Sequence, residues 1–236
     1  MRAACGIMRK PPAPRGAGGA LLKKRCRFDI VSICRGAAAA PCARIWKRQE
    51  RGISVKLMFA SDIHGSALYA EKLLARMKEE APQRLVLLGD ILYHGPRNEL
   101  PDGYAPKEVA GLLNTVRPRP LCVRGNCEAE VDQMLLEFPV MAEYFPLLLD
   151  GRMAFITHGH IWNEAHLPPL EAGDILIHGH THVRAAQDKG AYYFLNPGSV
   201  SIPKGDGVRG YMVYEDGVFT LKDLDGGVLA TLALHD

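Results

Sequence analysis

Seven residues in this chain are of types that hold metal ions, and each follows a short apolar run. They are Asp62 and His64, Asp90, Asn126, His158, and the pair His180 and His182. Two carboxylates, one amide and four imidazoles make a set of hard and borderline O and N donors. Such donors suit Mn²⁺, Fe²⁺, Co²⁺, Ni²⁺ or Zn²⁺, and no thiolate is needed. Seven donors exceed what one ion with open positions takes, whereas two ions sharing a carboxylate would use them all. A pair of ions ~3.5–4 Å apart clamps the attacking and leaving oxygens of a phosphoryl displacement.

Taken singly, each piece has a plainer explanation. Asp-x-His occurs by chance, and Gly89-Asp90 and Gly125-Asn126 are turn chemistry. His180 and His182 in an extended segment point the same way, because strand periodicity is two. The weight lies in the ordered series: several strand ends each deliver ligand-type residues, and strand ends on one edge of an α/β sheet converge.

The elements that must position them can be read from the apolar pattern. Val55 to Ala60, Arg84 to Leu88 and Leu121 to Arg124 are expected strands. Between them, Ala67 to Glu80 is an expected helix with Leu68, Leu73, Leu74 and Met77 on one face. Lys107 to Val116 and Glu130 to Phe138 are further helices, the latter with Val131, Met134, Leu135 and Phe138 apolar. The second half turns mostly to strand: Met153 to Thr157, Asp174 to Ile177, Tyr192 to Leu195, and a closing meander from Tyr211 to Ala233. There is no internal repeat. Alternating β and α followed by β-rich hairpins predicts an α/β fold in which two sheets pack face to face with helices outside, an αββα sandwich.

Charge divides the chain. Residues 1–54 carry a net +11 and four of the six cysteines, whereas the remainder carries −8 and only Cys122 and Cys127. Two thiols in that remainder are no disulfide framework and point to a reducing compartment. The leading stretch has Pro and Gly clusters and no apolar period. It is expected to be a disordered basic extension, dispensable for the domain at 55–236. Its Arg-, Ala-, Gly- and Pro-rich composition also resembles translated upstream DNA, with the true start near Ser54 to Met58. No run approaches the ~18 apolar residues of a membrane span. Collagen, coiled coil and global disorder are excluded on composition.

The ordered blocks Asp62-x-His64, Gly89-Asp90, Gly125-Asn126-Cys127-Glu128, His158-Gly159 and Gly179-His180-x-His182 resemble the calcineurin-like metallophosphoesterases. More narrowly they resemble the small bacterial YfcE-type phosphodiesterases, through Phe59 to Gly65, His94 to Asn98, Thr157 to His160 and Asn196 to Ser199 as well. The resemblance runs from about Val55 to the C-terminus. It implies a binuclear, metal-dependent phosphodiesterase of the bacterial cytoplasm, with a hydroxide between the ions as nucleophile and Mn²⁺ as first choice of metal. Ni²⁺, Co²⁺, Fe²⁺, Zn²⁺ and Mg²⁺ are the alternatives. It implies one ion on Asp62, His64 and His182, another on Asn126, His158 and His180, and Asp90 between both. The substrate would be a small phosphodiester, with no membrane and no stable nucleic-acid complex; a homo-oligomer is left open. The alternatives are a non-catalytic scaffold, as in the retromer subunit of this fold, and a phosphomonoesterase.

Three further residues are candidates for the chemistry. Cys127 stands where many family members have a His that protonates the leaving oxygen, and a thiol is a neutral acid at pH 7. Arg97 could hold a non-bridging phosphate oxygen, and His160 stands near the site. Ser61, Thr181 and Asn196 are candidates to orient ligands, His178 is expected to face the core, and Asn196 to Ser199 to form a rigid turn.

Overall fold

The computed structural model describes residues 55–235. The expectations for the leading 54 residues lie outside them. Eleven strands and three helices follow in the order β1 (Leu57–Ala60), α1 (Ala67–Glu80), β2 (Arg84–Leu87), α2 (Pro106–Asn114), β3 (Leu121–Cys122), α3 (Glu130–Leu135), β4 (Tyr144–Leu149), β5 (Arg152–Thr157), β6 (Ile175–Ile177), β7 (Ala185–Asp188), β8 (Tyr193–Asn196), β9 (Gly210–Glu215), β10 (Val218–Asp223) and β11 (Val228–Ala233). They form a six-stranded sheet ordered β11-β10-β9-β1-β2-β3 and a five-stranded sheet ordered β4-β5-β6-β8-β7. Both are mixed. β1, β2 and β3 run parallel, as do β5, β6 and β8, and the outer strands pair antiparallel.

Alternation within the central strands builds the layers. Phe59, Val86 and Leu88 point into the space between the sheets and meet Ile156, Ile177 and Leu195. Met58, Ala60, Leu85 and Leu87 point the other way, onto Ala70, Leu73 and Leu113 of the helices. The two-sheet α/β sandwich expected from the sequence is what forms. On the outer face of the second sheet, Phe155, Leu176 and Phe194 are packed by Trp162 and Leu170 of a long loop. Among the described residues no helix is long and apolar enough to cross a membrane.

Several local expectations need correction. Ser66 caps α1 by accepting the Tyr69 N–H at 3.3 Å, and the buried stripe of the helix is Ala67, Tyr69, Ala70 and Leu73. Leu68 is exposed; it lies about 140° around the helix from Leu73 at 100° per residue. In α3, Val131, Met134 and Leu135 face solvent, Met134 at 85% exposure, and the helix stops at Leu135. This short helix is held by its ends. Asp132 accepts the Ala129 N–H at 2.8 Å, and Gln133 bonds Leu136 O, Phe138 O and Val140 N. Leu136 is extended and leads Phe138 into the core. Strands β4 and β7 were not anticipated. β4 contains Pro146, and β7 is polar at its end; both lie at sheet edges, where Pro and polar residues are tolerated.

Glu80, in the last turn of α1, ties the helix to the sheet. It accepts from Lys222 Nζ at 2.6 Å and Tyr211 Oη at 3.0 Å, and pairs with Lys56 Nζ at 3.1 Å. Burial pushes the carboxyl up, and the bonds from Lys222, Lys56 and Tyr211 outweigh it, leaving the group lowered. A lowered folded value contributes stability that is present above the unfolded value and lost as pH falls through the folded one. Glu80→Gln should therefore lower the thermal midpoint by about 2–4 °C at pH 7. The difference from wild type should close in acid, below the carboxylate range. Equal loss in acid and at neutrality, measured by calorimetry, would contradict this.

Candidate metal centre

Every one of the seven candidates sits just past a strand end, on one edge of the sandwich. Asp62 and His64 follow β1, Asp90 follows β2 and Asn126 follows β3. His158 follows β5, and His180 and His182 follow β6. The first sheet thus supplies four and the second three. Five of them have left-handed backbones: Asp62 (φ 58°), His64 (49°), Asp90 (55°), His180 (63°) and His182 (58°). That conformation costs a non-glycine residue of order 1 kcal/mol or more and persists only where surroundings enforce it. Here it turns the chain back so that each side chain overhangs the sheet edge.

The enforcing contacts are dense. The Asp62 and His64 N–H groups donate to Gly89 O and Asp90 O at 3.1 and 2.9 Å. Asp62 O accepts from Ser199 Oγ at 2.8 Å and Ser201 Oγ at 3.1 Å. The loops also approach so closely that a Cβ on Gly125 would strike the Asp90 carboxylate, and one on Gly179 would strike Ser61 Oγ.

The side chains converge in two groups. In the first, Asp62 Oδ1 lies 3.2 Å from His182 Nε2 and 3.6 Å from His64 Nε2, and the two Nε2 atoms are 3.3 Å apart. In the second, His158 Nε2 lies 3.5 Å from Asp90 Oδ2, 3.1 Å from His180 Nδ1 and 3.2 Å from Asn126 Oδ1. Asp90 Oδ2 is also 3.7 Å from His64 Nε2, so it stands between the groups.

The far side of each ring tells which nitrogen carries the proton. His64 Nδ1 faces Tyr93 O at 2.8 Å, His182 Nδ1 faces Ile202 O at 2.8 Å and His158 Nδ1 faces Leu88 O at 2.6 Å. A carbonyl only accepts, so each Nδ1 donates. In the neutral rings the Nε2 atoms present bare lone pairs. Two such lone pairs face one another at 3.3 Å, beside a buried Asp62 Oδ1 that has no hydrogen-bond partner. Converging acceptors of this kind repel unless a cation lies among them. The donor set therefore fits divalent ions.

In the ion-free cluster a proton takes the place that a cation would fill. Burial pushes Asp62 up, but the His182 and His64 imidazoles outweigh it and hold the carboxyl well below the usual range. Burial pulls His158 down, and the Asp90 bond with the charge of Asp62 overrides it, up to about 9. Burial and the neighbouring His158 bring His180 down to about 4.

The orienting candidates are in place. Ser61 Oγ donates to Asp62 Oδ2 at 2.6 Å, and Asn196 Nδ2 donates to Gly179 O at 2.9 Å and Thr181 Oγ1 at 3.0 Å. Cys127 is half-buried. Its N–H donates to Asp90 Oδ1 at 2.9 Å, and its sulfur lies within 4.8 Å of ligand atoms of His64 and Asp90. Burial, then the Asp90 carboxylate, push its thiol far up, so it stays protonated. Arg97 is exposed and lines a cleft of about 470 Å³ with Asp90, Asn126, Cys127, His180 and His182. The His160 ring packs 5.3 Å from that of His158 and is lowered by burial and by that neighbour. His178 is buried, 4.8 Å from the Phe194 ring, as expected of a core residue.

Glu128, which closes the Gly125-Asn126-Cys127-Glu128 block, has a structural role. Its buried carboxylate takes the Asp90 N–H at 2.9 Å, the Ile91 N–H at 2.6 Å and the Gly125 N–H, joining the loops after β2 and β3. Its only sequence signal is a carboxylate three residues after Gly125, at the end of a buried strand. Ser201 and Lys204 have no signal in the sequence, and Ser199 stands out there only as the end of the Asn196 to Ser199 turn. Lys204 lines the same cleft.

Residues 55–216 match the calcineurin-like phosphoesterase superfamily domain. The chain belongs to this superfamily. It is 48% identical over 182 residues to proteins named phosphodiesterase YfcE from Escherichia coli strains K12 and O157:H7, covering 77% of this chain and 94% of theirs. Among solved structures, E. coli YfcE, described as a phosphoesterase, matches with a TM-score of 0.74 and 46% identity, over 77% of this chain and 100% of that one. Vacuolar protein sorting 29 from Cryptosporidium parvum matches with a TM-score of 0.53 and 15% identity, over 76% and 98%, and shares the fold. The superfamily resemblance read from the motifs is thereby established.

Glu128→Gln should loosen both loops. One carboxamide oxygen cannot take three N–H bonds, and its NH₂ would oppose a donor. Loss of about 1–3 kcal/mol is expected, with metal affinity down ~10–100-fold as Asp90 loses its support. Unchanged midpoint and metal affinity, read by calorimetry, would refute this role.

Proposed function

We propose that this chain is a phosphodiesterase that works with two divalent metal ions. The observation carrying this reading is the pair of imidazole clusters whose lone pairs converge around Asp62 and Asp90. Asp62, His64 and His182 would hold one ion, and Asn126, His158 and His180 the other. Asp90, within reach of both groups, would be shared. The resemblance to the YfcE-type phosphodiesterases makes Mn²⁺ the first choice, and the oxygen and nitrogen donors also admit Ni²⁺, Co²⁺, Fe²⁺, Zn²⁺ and Mg²⁺. When bound, two such ions supply Lewis acidity towards phosphoryl oxygens and lower the pKa of water.

The chain's own residues do the rest. Carbonyls of Leu88, Tyr93 and Ile202 fix three imidazole tautomers, so the nitrogens aimed inward are acceptors. Arg97 offers a guanidinium in the cleft for a non-bridging phosphate oxygen. Cys127 holds its proton and can donate it to a leaving oxygen, but it brings no positive charge there. That favours diesters with good leaving groups over monoesters. The cleft of about 470 Å³ suits a small diester. Identity of 48% to proteins named phosphodiesterase, over nearly their whole length, supports an enzyme over a scaffold. The free thiols Cys122 and Cys127 are in keeping with a reducing cytoplasm.

Asp90→Ala should remove turnover of bis(p-nitrophenyl) phosphate by at least ~10²-fold and lower the metal content together. Elemental analysis showing two ions per chain with a normal rate would overturn the shared-ligand assignment. EDTA should abolish wild-type turnover, and Mn²⁺ should restore it.

The Cys127 role is read from rate ratios between a poor and a good leaving group. Cys127→His should raise the relative rate for the poor leaving group, since general acid catalysis is typically worth ~10²–10⁴-fold. Cys127→Ser should change activated diesters little, because they need no leaving-group proton. The same ratio in all three proteins, with metal content intact, would mean that Cys127 only fills its loop.

A further inference from the structure

Beside the cleft over the metal-ligand clusters lies a second one of about 390 Å³, and the two share Arg97, Asn98, His182 and Lys204. The second is unlike the first. One stretch of its wall is apolar, from Leu100, Ile202 and Pro203, and Arg209 adds a further cation. Neither Arg97 nor Lys204 has a carboxylate within ion-pair distance among the described residues. The second cleft does hold two acids. Asp102 already accepts from Tyr69 Oη at 3.1 Å and lies 3.9 Å from Arg209, and Glu99 is exposed. Three cations against two carboxylates, one of them engaged, leave a positive excess where the clefts join.

The cations are placed by the same loop that supports the metal site. Ser201 Oγ donates to Asp62 O at 3.1 Å, His182 Nδ1 donates to Ile202 O at 2.8 Å, and the Lys204 N–H donates to His182 O at 2.9 Å. Arg209 Nε donates to Ser201 O at 2.9 Å, and its guanidinium lies over the Tyr69 ring at 4.2 Å. The second cleft is therefore held in fixed register with Asp62 and His182, because Ser201, Ile202 and Lys204 both line it and bond to them.

We propose that this second cleft is a subsite for a further anionic group on the substrate, bound by Lys204 and Arg209, with the apolar wall seating a ring between that group and the scissile phosphate. The enzyme would then select phosphoesters in which a ring bears a second phosphate or carboxylate. The inference rests on the reading of the metal centre as the phosphoester site.

Calorimetric titration of the Mn²⁺-loaded full chain tests it, with thymidine 3′,5′-bisphosphate and thymidine 5′-monophosphate as probes. The bisphosphate should bind about tenfold tighter, well above the twofold statistical gain from having two phosphates. Lys204→Glu should reduce the preference to twofold or less, and Arg209→Gln should reduce it markedly. Raising salt from about 0.05 to 0.5 M should shrink the wild-type preference, because exposed charges are screened. A preference ratio cancels the fraction of active protein, so partial misfolding of a variant does not mimic the result. A wild-type ratio of two or less, or a ratio unmoved in both variants, would overturn the subsite. Turnover of bis(p-nitrophenyl) phosphate separates the two claims. Turnover without the preference defeats the subsite alone, whereas the preference without turnover leaves the subsite standing and defeats the phosphodiesterase reading.

Discussion

Acceptors gathered at one edge of a sandwich repel each other, and much of this molecule is arranged to hold them there regardless. Asp62, Asp90 and three inward-facing imidazole nitrogens meet at 3.2 to 3.7 Å. Five left-handed turns aim the side chains, and tightly apposed glycines let the loops close. Glu128 and the two serines Ser199 and Ser201 clamp the backbone from below. Such pre-organisation is what a site needs if its groups are to act without rearranging.

The same arrangement explains why the site is polar at depth. His64, His158 and His182 are almost wholly buried, which would be costly for isolated imidazoles. Each is matched on its outer side by a backbone carbonyl, so burial removes few hydrogen bonds there. The remaining nitrogen of each of these three rings points to one place. His178 offers the contrast: it is as deeply buried, but packs against Phe194 and contributes nothing to the clusters.

What could be read from the sequence follows from periodicity. The parallel strands β1, β2, β5, β6 and β8 are short apolar runs closed by a polar turn, so both their burial and the ligands after them were visible. The bounds of α1 were visible too, because its cap and length are regular. Leu68 was misplaced by counting apolar residues without the helical angle. α3 misled because its apolar residues face outward while Asp132 and Gln133 do the holding. β4 was hidden by Pro146, and β7 by polar residues that only an edge tolerates. Glu128, Ser201 and Lys204 were out of reach for another reason. Their roles depend on loops that meet across 37 to 139 positions or over a cleft, and no local pattern records such meetings.

The four ligand-type residues after β1, β2 and β3 belong to one sheet, and the three after β5 and β6 to the other. Ions held between them would therefore act as rivets across the seam of the sandwich, at the end opposite the bond from Tyr214 Oη to Asp150 that joins the two sheets. Folding and metal supply then become linked quantities: each tenfold rise of free ion above its dissociation constant deepens the native state by about 1.4 kcal/mol per site. A cell short of the ion would hold this protein not merely idle but loosened along that seam, and so open to proteolysis.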